Sequence, residues 1–323
     1  MENLKSNTQP SIYVFDIEGT LLDGHGEIRP GTIEMFTAIK QKTDKKVLFE
    51  SGMNEKEVLS IIAKINEKLP EDCKLTPCIA SCCGSRIINE KGEPIFQDII
   101  SYDDIQAINR ILLKYDPSSA IVYRTKSENL ICKIEDLYTK FGKKLSVEEQ
   151  DKLDNIYQIL YTTHNVPLLC KEISNDELEK MLNNGEIYSL EIAGINLNND
   201  PVLNAKIAKE IYKATKLEYS LSVTMQIARQ NKYSALVNFV GLKDAKTACY
   251  MGDGANDIPC LKKCGHSVSA FAKMRNVVQA SKYAINTTLT EVIPYILGEP
   301  YDAERLKELK ESCLKQALKR KTR

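Results

Sequence analysis

The sequence predicts an α/β protein built on a parallel sheet and interrupted by a second α/β unit. Three observations carry this. Ile12-Tyr13-Val14-Phe15 is a short, continuously apolar run, the pattern of a strand buried on both faces. Val47-Leu48-Phe49 repeats that pattern after an intervening helix, so the connection is a crossover and the strands are parallel. After a long mixed stretch, the same kind of strand returns at Thr247-Ala248-Cys249-Tyr250-Met251.

Each element has its own local reason. Pro30 opens a helix that carries Ile33, Phe36 and Ile39 on one face. Asn54, with Glu57 three residues on, has the spacing of a capping box for a helix burying Val58, Ile61, Ile62 and Ile65. Arg86 to Phe96 reads as a hairpin turning at Lys91-Gly92. Beyond it, helices are expected near 103–114, 175–182 and 201–214, and strands near 120–123, 130–133 and 187–192. Residues 233–240 then read as a helix, and another follows carrying Ile258 and Leu261. A charged amphipathic helix is expected over 302–319, with Leu306, Leu309 and Leu314. The division that results is a core of 10–84 plus 225–299, an inserted unit of 85–224, and a C-terminal helix and tail of 300–323.

Composition narrows the function. A length of 323 residues suggests about two domains. Lys plus Arg total 44 and Asp plus Glu total 44, so the balance gives no reason to expect nucleic acid. Apolar content of 43% with 27% charged residues excludes wholesale disorder. No apolar run has the length of a membrane span, and the first ten residues lack the apolar centre of a signal peptide. A cytoplasmic protein is therefore expected, with its ten cysteines as thiols rather than disulfides. None of the three histidines sits near a cysteine pair at zinc-site spacing. His25 reads as an exposed loop residue, and His164 and His266 as structural. Cys82-Cys83 read as small packing hydrophobes, and the basic tail 315–323 as a solvated helix end.

The chemistry gathers at strand ends. Asp16 and Glu18 follow the first strand, and Asp253 and Asp257 follow the late one. Ligands of open α/β sheets bind outside the carboxyl ends of the strands. Carboxylates brought together there repel, and Mg²⁺ with substrate phosphate resolves the conflict. Ser51-Gly52 offers a hydroxyl and a bare backbone N–H at another strand end, and Lys232 places an ammonium at a helix start. Such a set suits phosphoryl transfer. The plain alternative is that these residues are turn and cap residues, a role Gly, Asn and Asp also suit.

Asp16-Ile17-Glu18-Gly19-Thr20-Leu21-Leu22 resembles the first motif of haloacid-dehalogenase-superfamily phosphatases, usually Asp-x-Asp-Gly-Thr. Ser51, Lys232 and Gly252-Asp253-Gly254-Ala255-Asn256-Asp257 resemble its second, third and fourth motifs, in order. The long insertion between Ser51 and Lys232 is similar to the α/β cap of the Cof-type branch. The resemblance implies a Rossmann-like core, Mg²⁺ as cofactor and a small phosphorylated metabolite as substrate. It implies that Asp16 attacks phosphorus and that position 18 acts as acid and base. Mg²⁺ would lie on Asp16, Asp253 and the Glu18 carbonyl. Asp257 would bind the ion through water or hold Lys232. Ser51, the Gly52 N–H, Asn256 and Lys232 would grip the phosphoryl oxygens. The chain departs from the pattern at Glu18, where most of these phosphatases have Asp. It departs again at Cys83-Gly84-Ser85, where the branch often has Asn-Gly. A phosphomutase or phosphotransferase, and a weakly active relative that binds phosphorylated ligands, are the other readings.

Overall fold

The computed structural model describes residues 4–5, 8–76, 78–132, 144–162, 170–194, 200–221 and 224–319. Numbered along the chain, its strands begin with β1 Leu4–Lys5, β2 Tyr13–Asp16, β3 Val47–Glu50, β4 Cys78–Ser81, β5 Arg86–Ile88 and β6 Pro94–Gln97. Next come β7 Ala120–Arg124, β8 Asn129–Cys132, β9 Cys170–Ile173, β10 Ser189–Ala193, β11 Glu218–Leu221 and β12 Met225–Ala228. Last are β13 Cys249–Gly252, β14 His266–Ala270, β15 Tyr283–Ile285 and β16 Tyr301–Asp302.

Two large sheets form. The first has the order β15-β14-β13-β2-β3-β4-β5-β6. It is parallel from β15 through β4, and the β5–β6 hairpin extends its edge antiparallel. The second has the order β11-β12-β10-β7-β8-β9 and is antiparallel except where β8 meets β9. The fold is thus the expected α/β architecture, a parallel Rossmann-like sheet with an inserted α/β unit.

The first sheet is sealed on both faces, as the unbroken apolar runs require. Tyr13 and Phe15 point into one core with Phe36 and Phe49, while Ile12 and Val14 point into another with Leu48, Leu236 and Tyr250. Phe15 meets Phe36 edge-on at 5.1 Å, a geometry that adds about 0.5–1.5 kcal/mol to the burial itself. Asn54 and Glu57 form the expected capping box on helix Glu55–Lys68. The expected helices appear at Tyr102–Tyr115, Asn175–Asn183, Pro201–Thr215, Lys232–Thr247 and Ile258–Lys263.

Five features differ from the sequence reading. The hairpin at 86–97, expected in the insertion, adds to the first sheet, because β5 pairs with β4 directly after a short turn. Met225–Ala228, expected in the core, pairs with β10 in the second sheet. Helix Val147–Thr162 and strand β11 were not anticipated, and both are rich in polar residues that blur the pattern. Helix Ala303–Lys319 is no separate tail: Leu306 and Leu309 are buried in the main core of the first unit. Lys133, His164 and residues 320–323 lie outside the described residues. No described helix is long and apolar enough to cross a membrane.

Candidate active site

Sheet order places the site. The chain leaves β2 toward β3 on one side, and β13 lies on the other, so a crevice opens at the carboxyl ends where the order reverses. Asp16 ends β2, Ser51 follows β3 and Asp253 follows β13. Helix Lys232–Thr247 begins at the same edge, started by Asn231, whose side chain accepts from the Ser234 N–H.

Lys232 is 2% exposed and donates to two carboxylates, Asp16 and Asp257, the latter at 2.6 Å. Burial pulls its ammonium down, but the two carboxylates outweigh burial and hold it well above the usual lysine range. Asp257 is fully buried. It accepts from Lys232 and from the Tyr250 hydroxyl at 2.7 Å, and its other oxygen takes the Asp253 and Gly254 N–H groups at 2.9 and 2.7 Å. Asp257 is thus in contact with Lys232. Asp253 accepts from the Thr20 hydroxyl at 3.3 Å and lies against Gly19. A Cβ at Gly19 would stand 2.3 Å from that carboxylate, and its φ of +82° lies where non-glycine residues are strained.

Asp16, Asp253 and Asp257 offer oxygens within 4.8 Å of one another. Burial and mutual repulsion push Asp16 up to about 6 and Asp253 up to about 8. Hard oxygen donors crowded in this way suit a divalent cation, whose charge would return both groups to their ionised form. The Glu18 carboxyl is not part of this cluster. Its side chain meets solvent in the crevice, yet the protein around it pushes its carboxyl up to about 7, against the opposing pull of Arg124. Glu50 lies opposite Asp16 on β3, is 1% exposed, and neither of its carboxyl oxygens has a hydrogen-bond partner. Burial, with the nearby Asp257 and Asp16 carboxylates, pushes it well above the usual carboxylate range.

The remaining expected residues are Ser51, Gly52 and Asn256. The Ser51 hydroxyl is buried and accepts from the Met53 N–H at 3.0 Å. The Gly52 carbonyl accepts from Arg124 of the second sheet. Asn256 and Lys232 border a cavity of about 270 Å³ whose far wall is Tyr219, Ser220, Gln226 and Gln230. Cys82 and Cys83 both take positive φ at the junction; Cys82 is buried, and Cys83 faces Gln226 at 3.7 Å. The ten cysteines form no disulfide. His25 stands on an exposed turn, and His266 is buried against Tyr295.

Sequence reasoning missed the residues the second sheet supplies. Arg124 is 5% exposed and pairs with Glu191, which also accepts from Thr224 at 2.5 Å. Register puts Arg124 opposite Ser189, and Glu191 opposite Val122 and Gln226, so all share one face. The signal was present as alternation, apolar at Tyr123, Leu190 and Ile227 and polar at Arg124, Glu191 and Gln226. It was readable only once the strands were known to pair.

Comparison with known proteins places the chain in a family. Residues 13–297 match the model of the haloacid dehalogenase-like hydrolase family, and the chain belongs to that family. Among solved structures it is similar to SMU.1108c of Streptococcus mutans, at 18% identity and a TM-score of 0.65, over 90% of this chain and 100% of that one. It is also similar to BT1666 of Bacteroides thetaiotaomicron, a phosphatase of the same superfamily. That match has 15% identity and a TM-score of 0.62, over 86% of this chain and 90% of the other. The subclass IIB sugar phosphatase BT4131 matches at 16% identity and a TM-score of 0.58, over 86% and 93%. Comparison with curated protein sequences returns no match.

Proposed function

We propose that the protein is a Mg²⁺-dependent phosphatase that hydrolyses a small phosphorylated metabolite through an aspartyl phosphate on Asp16. The observation that carries this is the convergence of Asp16, Asp253 and Asp257 with the buried Lys232 ammonium at the switch point of the sheet. Asp16 Oδ attacks phosphorus, and the bond to the leaving oxygen breaks. Glu18, with its carboxyl near 7, is partly protonated at neutral pH and gives the leaving oxygen its proton. It then takes a proton from the water that attacks the phosphorus of the aspartyl phosphate, which frees phosphate and restores Asp16. Lys232, the Ser51 hydroxyl, the Gly52 N–H and Asn256 bind the phosphoryl oxygens. Asp16, Asp253 and the Glu18 carbonyl would hold Mg²⁺, directly or through water. When bound, the ion would neutralise phosphoryl charge and keep the carboxylates ionised.

The second unit acts as the cap that reads the leaving group and excludes water. Its cavity-lining residues Ser220 and Gln226 offer neutral donors and acceptors, and behind them the buried Arg124 charge is matched by Glu191. Such a surface suits hydroxyls more than a second phosphate, which favours a sugar phosphate as substrate. The test is hydrolysis of para-nitrophenyl phosphate with Mg²⁺ and with EDTA, in wild type and Glu18→Asp. Metal-dependent release of nitrophenol is expected. Silence of both proteins, with phosphate-ester binding intact, would move the protein to the ligand-binding reading.

A further inference from the structure

A second cavity, of about 220 Å³, lies beyond the catalytic loop, between the segment at Arg29, the turn Phe271–Lys273, Asn286 and the helix residues Cys313 and Gln316. Its electrostatics are one-sided. Arg29 and Lys273 line it and no carboxylate does. Neither cation has an ion-pair partner among the described residues, although fourteen such pairs occur elsewhere in them. Arg29 is held in place: its guanidinium lies 4.2 Å over the Phe271 ring, and its Nη2 donates to the Gly19 carbonyl at 3.4 Å. Its Nε is buried with no partner. Phe271 takes φ +58°, which is strained for an aromatic residue and places its ring beneath the guanidinium. The Asn286 amide donates to Gln316 at 2.7 Å, leaving the Gln316 NH₂ as a neutral donor on the same wall.

We propose that this cavity is a regulatory site for a small dianion carrying phosphate, sulfate or two carboxylates. An arginine fork, an ammonium and an amide without a neutralising carboxylate match that chemistry. The volume exceeds what a bare tetrahedral oxyanion fills, so the natural ligand carries a short carbon skeleton. Occupation is felt at the catalytic loop, because Arg29 also holds the Gly19 carbonyl and Gly19 packs directly on Asp253. Two distinct sites joined by one guanidinium satisfy the structural requirement for coupling.

The test needs no turnover, so it fails separately from the phosphatase reading. Malonate and sulfate are titrated by calorimetry in metal-free buffer with EDTA, where the acidic cluster repels anions from the catalytic crevice. Saturable binding is expected in wild type, tighter for whichever geometry the site reads. Lys273→Glu, on an exposed side chain, and Asn286→Asp each raise Kd at least tenfold. Hydrogen exchange at Gly19 and Thr20 slows on binding in wild type and not in Lys273→Glu. Absence of saturable binding by either anion, or equal Kd in wild type and both variants, would overturn the site. Binding with unchanged exchange at Gly19 and Thr20 would overturn the coupling.

Discussion

The two sheets solve different problems with the same element. The first is largely parallel and buried on both faces, and its candidate site residues stand at strand ends: Asp16 after Phe15, Ser51 after Glu50, Asp253 after Gly252. The second is largely antiparallel, with one apolar face and one that mixes polar with apolar residues, and Arg124, Ser189, Glu191 and Gln226 stand within its strands on that mixed face. A fully buried strand has no room for polar side chains except where it emerges. A half-buried strand presents a wall of them. Chemistry needing a few fixed groups at one point sits at the first kind of place, and recognition needing a surface sits at the second.

The comparison can be broken at its strongest point. Asp16→Asn is expected to lower turnover by about 10⁴-fold or more for every substrate alike, since it removes the proposed nucleophile common to all. Substrate-dependent losses would mean that the first sheet also reads the leaving group. Gly19→Ala is expected next. Its Cβ meets the Asp253 carboxylate and its positive φ costs about 1–2 kcal/mol. Displacement of Asp253 by a fraction of an ångström should cost about 10²-fold in kcat, measured beside a modest fall in Tm.

Gln226→Ala tests the other sheet. On a favoured substrate KM should rise about tenfold, the scale of one or two lost hydrogen bonds, while para-nitrophenyl phosphate changes less than about threefold. Equal loss on both would place Gln226 with the catalytic groups. The smallest effect concerns stability. Buried His266 has its imidazole lowered from 6.5 to about 4, chiefly by burial. Below pH 6.5 the unfolded chain takes up a proton that the folded chain refuses until about pH 4. Stability from this group is therefore full above pH 6.5 and is lost as pH falls toward 4. The raised carboxyls of Asp16 and Asp253 act in the opposite sense, but they do so equally in wild type and in His266→Asn. The Tm of wild type relative to the variant should fall between pH 7 and pH 4.5; a constant difference would remove His266 from the account.

Legibility followed the same divide. Asp16, Glu18, Ser51, Lys232, Asp253 and Asp257 were readable because each follows a local signal: an apolar run that stops, a glycine turn, a helix start. The capping box at Asn54 and Glu57 was readable for the same reason. Arg124, Glu191 and Gln226 were not, although their alternation was in the sequence.

The α/β class, the buried strands and the carboxylates at their ends follow from the linear chain alone. These depend on short-range periodicity and turn chemistry, which act within a few residues. Long-range packing set which sheet took the hairpin at 86–97 and brought Met225–Ala228 into the second sheet. Only it closed Asp257 onto Lys232 and Tyr250, laid Arg124 against Gly52, and left Arg29 and Lys273 facing one cavity without a carboxylate. Pairing between distant segments sets those contacts, and strand pairing depends on the summed fit of whole elements, which no local stretch encodes.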